Sequence, residues 1–227
     1  MQPVPARTRP TFGLAAGGLT KLFGETAALW QVDLRATSRD VIAIHGPNGS
    51  GKSTLLRVLA GLTATTRGSV AWTAPAGAGP PRIAFVGHDS HLYEALTPLE
   101  NLHLAARLAH ADADRIPVLI DRLGLVEAAA VQCQRLSAGT LRRVAIARAT
   151  AIDPDVLLID EPFAAQDRAA ATLASTLLTE LADEGRLVIV ASHDDARSQA
   201  IATRIVTLDG GRIVGTDAEP ASKERVR

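Results

Sequence analysis

A glycine-rich loop between a short apolar run and a segment of helical periodicity has residue types that can bind phosphate. The apolar run is Val41-Ile42-Ala43-Ile44, and the helical pattern begins at Leu55. Because glycine permits tight turns, the loop can point several backbone N–H groups inward, and the N-terminus of the next helix adds further donors around an anion. The loop consists of Gly46, Pro47, Asn48, Gly49, Ser50, Gly51, Lys52, Ser53 and Thr54.

Lys52 and Ser53 complete the Walker A pattern G-x-x-x-x-G-K-[ST] in this loop. We expect the Lys52 ammonium to reach the β- and γ-phosphates of a nucleoside triphosphate. The Ser53 hydroxyl is expected to ligate the Mg²⁺ that bridges those phosphates, because Mg²⁺ prefers hard oxygen ligands. A flexible glycine turn is the alternative, but it would require neither the Lys-Ser pair nor a strand before it.

Two carboxylates and a histidine follow two further apolar runs. Asp160 and Glu161 come directly after residues 156–159, and His193 follows residues 187–190. Ligands of α/β proteins bind at the carboxyl ends of the strands, so these side chains are expected near the loop. We expect Asp160 to hold Mg²⁺, largely through water, and Glu161 to orient or deprotonate the attacking water. His193 is expected to contact the γ-phosphate; solvent-facing acids and a structural histidine are the alternatives.

A second anion site is predicted at the segment that begins with Leu136-Ser137-Ala138-Gly139-Thr140. Ser137 is expected to cap a helix, since Leu141, Val144 and Ala145 repeat at helical spacing. An exposed helix N-terminus with a hydroxyl and a glycine can bind phosphate. One nucleotide pocket does not need it, which suggests a phosphate that is contacted from another subunit.

Composition limits the class of protein. The chain has 227 residues, 47% of them hydrophobic, and 24 basic residues balance 24 acidic ones, so no net field favours nucleic acid. The single cysteine, Cys133, cannot form an internal disulfide, which fits a reducing compartment. Residues 1–10 lack the apolar core of a signal peptide, and no apolar run reaches about 18 residues. We expect a soluble cytoplasmic protein that meets a membrane only through a partner.

The pattern of apolar runs predicts an α/β fold. Short runs from Phe12 to Ile44 predict antiparallel strands that lead into a parallel one. Alternating strands and helices in the second half predict a parallel sheet covered by helices. Further predicted elements are strands at 69–72 and 82–86, helices between 99 and 125, a helix at 169–184, and a hairpin of 204–208 with 212–214 through Asp209-Gly210-Gly211.

With these motifs assembled, the sequence resembles the nucleotide-binding subunit of ATP-binding cassette (ABC) transporters over about residues 14–215. The motifs are Walker A at 46–54, Walker B at 157–161, the signature at 136–140, a D-loop that ends at Asp167 and a switch histidine at His193. The resemblance implies a P-loop NTPase (RecA-like) core with an N-terminal antiparallel β subdomain and an inserted α-helical subdomain at about 91–149. We expect one ABC ATPase domain at 11–215 between tails at 1–10 and 216–227.

The resemblance also implies how the site is completed. In this family two cassettes pair head to tail, and each ATP lies between Walker A of one and the signature of the other, so that Ser137 and Gly139 act across the interface. Ala138 and Asp167 are expected to bind the nucleotide as well. The partner cassette is a second copy or a similar subunit. Phe23 matches the aromatic position that stacks on adenine; its surroundings alone are equally consistent with a small-core anchor. A membrane permease would convert closure and reopening of the pair into transport, with the chain at the cytoplasmic face of the inner membrane.

Two segments depart from most of the family. His88 stands where glutamine is usual, and Leu136-Ser137-Ala138-Gly139 has alanine for the second signature glycine. The Gly87-His88 pair, the run after it and this signature resemble the ATPase subunit of the haem exporter used in cytochrome c maturation. His88 is kept as a metal-site candidate, although imidazole is a poorer Mg²⁺ ligand than an amide oxygen, and direct contact is left open.

Other functions are compatible with the same fold. The chain could serve another ABC exporter, for drugs or lipids, or could be a soluble cassette protein that acts on ribosomes or DNA. Those soluble relatives usually carry two cassettes or a long coiled coil, whereas this chain has one Walker A motif and no long heptad run. A regulator without hydrolysis is disfavoured because Lys52, Asp160, Glu161 and His193 are all present.

Overall fold

A computed structural model describes residues 9–218, in which the strands form two sheets. The smaller sheet is antiparallel and has the order β2-β1-β4. Its strands are β1 (Gly13–Phe23), β2 (Thr26–Thr37) and β4 (Arg67–Thr73). The sequence predicted short broken runs here, whereas β1 and β2 are long and continuous. Their pairing contains register shifts, one of which spans Gly17 and Gly18.

The larger sheet has six strands in the order β5-β6-β7-β3-β8-β9. All neighbouring pairs are parallel except the last, β8 with β9. This sheet, its helices and the separate antiparallel sheet confirm the predicted α/β fold with an N-terminal β subdomain. The strands are β3 (Val41–His45), β5 (Ile83–Val86), β6 (Val156–Asp160), β7 (Leu187–Ala191), β8 (Arg204–Asp209) and β9 (Arg212–Ala218).

Helices cover both faces of the larger sheet. They are α1 (Lys52–Leu59), α2 (Pro98–Leu108), α3 (Ile116–Arg122), α4 (Ala138–Ala151), α5 (Arg168–Asp183) and α6 (Asp195–Ile201). Helices α2, α3 and α4 lie between β5 and β6 in the chain and form the inserted helical region. Thr97 and Glu100 form a capping box at the start of α2. Helix α6 was not predicted.

The period-two alternation of a strand decides which core each side chain joins. In β3, Val41 and Ala43 pack with residues of α2 to α5, while Ile42 and Ile44 pack with α1 and the antiparallel sheet. The same alternation separates Leu157 from its neighbours in β6. Both faces of the parallel strands are therefore buried, which explains why these strands are apolar throughout.

Two predicted boundaries differ from the structure. Strand β9 continues to Ala218, where it pairs with Arg204, so it passes the predicted domain end at residue 215. Arg9, predicted to lie in a loose tail, makes ion pairs with Asp153 and Asp155. The remainder of the predicted tails, residues 1–8 and 219–227, lies outside the described residues. Between residues 9 and 218, no helix combines the length and apolar character needed to span a membrane.

The hairpin of β8 and β9 braces the glycine loop. Its predicted turn has positive φ at Gly210 (50°) and Gly211 (76°), as a tight hairpin requires. The Gly211 N–H donates to the carbonyl of Ser50 at 3.0 Å, and the Gly211 carbonyl accepts from the N–H of Trp30 at 2.8 Å. A Cβ at Gly211 would lie 2.9 Å from the carbonyl oxygen of Ala28, whereas one at Gly210 would meet nothing within 4 Å.

We predict that Gly211→Ala destabilises the fold and the loop, while Gly210→Ala is a matched control. Both substitutions place alanine at positive φ, at a cost of about 1–2 kcal/mol. Only Gly211→Ala also pushes against backbone atoms, which adds about 1–3 kcal/mol to the loss of unfolding free energy. Urea denaturation and the dissociation constant for nucleotide measure the effect. Equal losses in both variants would show that the hairpin does not brace the loop.

Candidate functional site

The glycine loop joins the end of β3 to the start of α1. Gly51 caps α1 with a φ of 107°, and a Cβ there would lie 2.4 Å from the carbonyl oxygen of Ala28. A side chain at this position would be strained and would collide with β2. The loop backbone therefore packs directly against the antiparallel sheet, which orients its N–H groups.

Two polar side chains of the loop, those of Ser50 and Lys52, are buried. Lys52 is 7% exposed, and its Nζ donates to the carbonyls of Gly46 at 2.7 Å and Pro47 at 3.0 Å. Ser50 Oγ is buried and has no hydrogen-bond partner within residues 9–218. A buried ammonium and an unpartnered hydroxyl beside a helix N-terminus fit a polyphosphate, whose oxygens can accept hydrogen bonds from both groups.

A cavity of about 460 Å³ brings most of the predicted site residues together. It lies at the carboxyl ends of β3, β6 and β7, where ligand binding was expected. Ala28 and Ala164 also line it. The predicted residues on its wall are Asn48, Gly49, Gly51, Lys52, Ser53, Thr54, His88, Asp160, Glu161 and His193.

Three of these residues bear on a metal ion. Asp160 is 5% exposed at the end of β6, and Ser53 is exposed at the first turn of α1. A carboxylate and a hydroxyl on one cavity wall are the hard oxygen donors that suit Mg²⁺. His88 is also on the wall and exposed, but it offers nitrogen, which suits Mg²⁺ less well.

Glu161 and His193 are in direct contact and form an ion pair when the imidazole is protonated. Glu161 Oε2 lies 2.8 Å from His193 Nδ1, and the backbone N–H of His193 donates to Oε1 at 3.1 Å. The hydrogen bond to Glu161 and its negative charge raise the pKa of His193, with a smaller opposing contribution from desolvation. Ser192 Oγ donates to Oε2 at 3.4 Å. The proposed base and the switch histidine are therefore electrostatically coupled.

Several predicted binding residues do not line this cavity. Ser137 caps α4 by accepting from the N–H of Thr140 at 3.2 Å, as predicted, and its side chain is exposed, as is Ala138. Gly139 packs against the carbonyl of Ala165. The remaining residues of this group are Phe23, Asp167, Pro47 and Ser50.

Phe23 lies at the end of β1 and is 57% exposed, with Lys21 Nζ 4.9 Å from its ring centroid. A cation–π contact of this kind keeps the ring in place without burying it. Asp167 caps α5 by accepting from the N–H of Ala170 at 2.8 Å. Pro47 and Ser50 belong to the loop but do not line the cavity wall.

Sequence reasoning missed Arg142. It lies on a stripe of α4 with Ala145, Ile146 and Ala149, which have i, i+3, i+4 and i+7 spacing and are all buried. Its guanidinium donates to backbone carbonyls at the ends of β5 and β6. An arginine on an otherwise apolar helical stripe was the available signal, since a buried charge needs specific partners.

The family comparison agrees with this geometry. The family model for ABC transporters matches residues 29–164. This chain belongs to the ABC transporter family. A cytochrome c biogenesis ATP-binding export protein CcmA from Pseudomonas savastanoi is 42% identical over 168 residues, which cover 71% of this chain and 79% of that protein.

Other relatives are import proteins. A sulfate/thiosulfate import ATP-binding protein CysA from Bordetella parapertussis is 35% identical over 217 residues, which cover 89% of this chain. The match spans only 61% of that longer protein. Among solved structures, the dimeric structure of MJ0796, a bacterial ABC transporter cassette, has a TM-score of 0.81 at 29% identity and covers 90% of this chain and 98% of that one.

This ABC cassette is an ATPase and a nucleotide-binding subunit of an ABC transporter. A second structure of MJ0796, in a post-hydrolysis state bound to ADP and Pi, matches with a TM-score of 0.81 at 28% identity. The relatives include both exporters and importers. Cassettes of the family dimerise and act with membrane permease subunits.

The Glu161–His193 pair predicts a measurable pKa. In the wild type, the pKa of His193 should lie above its ordinary value of 6.5, and in Glu161→Gln it should fall, since the stabilising charge is removed. NMR titration of the imidazole resonances, assigned with His193→Asn, measures it. Glu180→Gln is the control, because its carboxylate pairs with Arg122 instead. An unchanged pKa in Glu161→Gln would contradict the coupling.

Proposed function

We propose that this cassette is the ATPase subunit of an exporter that supplies haem for cytochrome c maturation. The observation that carries the proposal is the similarity to two cytochrome c biogenesis ATP-binding export proteins, at 42% and 38% identity. The import relatives match at 34–36%. The Gly87-His88 pair and the Leu136-Ser137-Ala138-Gly139 signature support the same assignment.

We assign the hydrolytic chemistry to residues on the cavity wall. Lys52 would offset the charge of the β- and γ-phosphates, and Glu161 would take a proton from the water that attacks the γ-phosphorus. The bond from phosphorus to the bridging oxygen then breaks, which releases ADP. Ser53 and Asp160 would hold Mg²⁺, which neutralises charge on the phosphate oxygens. His193 would hold Glu161 in place and contact the γ-phosphate.

His88 is proposed to stand beside the metal site. It lines the same cavity as Ser53 and Asp160. Two oxygen donors and waters can satisfy Mg²⁺, which usually keeps several waters, so the imidazole is not required as a ligand. Its exposure also leaves it accessible to a partner protein.

The other predicted binding residues are assigned to a dimer. Ser137, Ala138 and Asp167 are exposed and lie outside the cavity of their own chain. We assign them, with Gly139, to the nucleotide of a second cassette, and Phe23 to the adenine of its own. Dimer closure on ATP and reopening after hydrolysis would drive a permease, which would hold the chain at the cytoplasmic face of the inner membrane.

Import is the second candidate function. The CysA match covers 89% of this chain against 71% for CcmA, so it extends over more of the fold. Because a cassette contacts ATP and its permease, its own site does not select the cargo. The two functions therefore differ in the membrane partner, so the permease that binds the chain distinguishes them.

Glu161→Gln should abolish turnover while ATP binding persists. The amide keeps the shape of the side chain but cannot take a proton, so we expect kcat to fall by about 100-fold or more. ATP should then accumulate a closed dimer, which size-exclusion chromatography with light scattering detects. Glu180→Gln, a surface carboxylate on α5, should leave kcat unchanged. Retained turnover in Glu161→Gln would refute the assigned role.

The haem assignment is tested in the organism that encodes the chain. Replacement of the gene by its Glu161→Gln form should remove covalently bound haem from c-type cytochromes, while b-type cytochromes and growth on sulfate persist. A tagged chain should co-purify, from detergent-solubilised membranes, with the permease of the cytochrome c system. Recovery of a sulfate, thiamine or sulfonate permease, with normal c-type cytochromes, would favour import.

A further inference from the structure

Arg142 connects the helix of the signature segment with the ends of β5 and β6, next to two of the segments that line the cavity. It is 6% exposed on α4. Its Nε donates to the carbonyl of Glu161 at 3.0 Å, Nη1 donates to the carbonyl of Gly87 at 2.6 Å, and Nη2 donates to the carbonyl of Asp160. One guanidinium therefore binds three backbone carbonyls at the ends of β5 and β6.

Two of these carbonyls belong to Asp160 and Glu161, the residues proposed to hold Mg²⁺ and to act as the base in ATP hydrolysis. Glu161 has a φ of 57°, a left-handed conformation that costs a non-glycine residue about 1–2 kcal/mol. Such conformations persist where surrounding contacts hold them. The N–H of Glu161 donates to the carbonyl of Ala191 at 2.7 Å, and its own carbonyl accepts from Arg142. The strained residue is thus held on both sides.

We propose that Arg142 is a positioning residue for ATP hydrolysis. By fixing the peptide groups of Asp160 and Glu161, it directs the Glu161 carboxylate into the cavity toward His193. Its hydrogen bond to the carbonyl of Gly87 also holds the peptide group that joins Gly87 to His88. This inference rests on the proposed role of Glu161 as the base.

The chemistry of arginine suits this task. A guanidinium presents rigid, planar donors in several directions, whereas a lysine ammonium is a point charge on a flexible stem. Burial lowers the pKa of Arg142 to about 10, against the opposing influence of the Asp160 and Glu161 carboxylates. The group stays protonated at neutral pH, so all three hydrogen bonds are charge-assisted.

Arg143 supplies a matched control in the same helix. Its Nη1 donates to the carbonyls of Leu123 at 2.7 Å and Gly124 at 2.9 Å, at the end of α3. Arg143 therefore stabilises the helical region without touching Asp160, Glu161 or Gly87. Loss of its charge tests whether any arginine of α4 has the same effect.

The experiment measures ATP affinity, KM and kcat for Arg142→Gln, Arg142→Lys and Arg143→Gln. Misplacement of the base by about 1 Å costs about 100-fold, so Arg142→Gln should lose about that factor in kcat, with ATP affinity within about threefold. Arg142→Lys, with one remaining donor group, should be intermediate. Arg143→Gln should stay within about threefold of wild type.

A double variant tests whether Arg142 acts through Glu161. If it does, Arg142→Gln should lower kcat little further in the Glu161→Gln background, because the base it positions is already lost. Additive losses would overturn the inference, as would a kcat for Arg142→Gln within about threefold of wild type or equal losses of affinity and kcat. If Arg142→Gln does not fold, the kcat of Arg142→Lys decides by the same threshold. Turnover retained in Glu161→Gln would instead refute the role of the base itself.

Discussion

The parallel pairing of β6, β7 and β3 is the constraint on which the site depends. In this register Asp160 lies opposite Ala191, which in turn lies opposite Ile44. Each strand then ends at the same level, and the residues that follow enter one cavity: the glycine loop after β3, Glu161 after β6 and His193 after β7. A shift of one residue in β6 would turn Asp160 to the other face of the sheet.

Hydrogen bonds from neighbouring elements then hold the ends of these strands. Gly211 of the hairpin binds the glycine loop through Ser50, and Arg142 of α4 binds the turn that contains Glu161. The first contact comes from the side of β8 and β9, and the second comes from the helical region. Movement of the helical region relative to the sheet would therefore act directly on the backbone of the proposed base.

The amino ends of the parallel strands, opposite the cavity, have a different electrostatic arrangement. Asp153 there accepts from Arg9, Arg115 and the fully buried Arg186. Burial opposes ionisation of Asp153, but the arginines outweigh it and hold the pKa of this carboxyl below its usual value. These charges are compensated within the fold, whereas the hydrogen-bond partners of Lys52 at the cavity, among the described residues, are loop carbonyls. The difference separates a stabilising network from a site built for an anion.

The sequence by itself determined the features that depend on a few adjacent residues. The glycine loop, the Ser137 cap and the Gly210-Gly211 turn follow from spacing and local backbone chemistry, and the family resemblance suggested which residues we propose to act across a dimer. Tertiary structure alone decided the partners of Arg142, which are 18, 19 and 55 residues away, and the contact of Gly211 with a loop far earlier in the chain. The reason is that such contacts form only when strand order and helix packing bring distant segments together, and local propensity does not encode that arrangement.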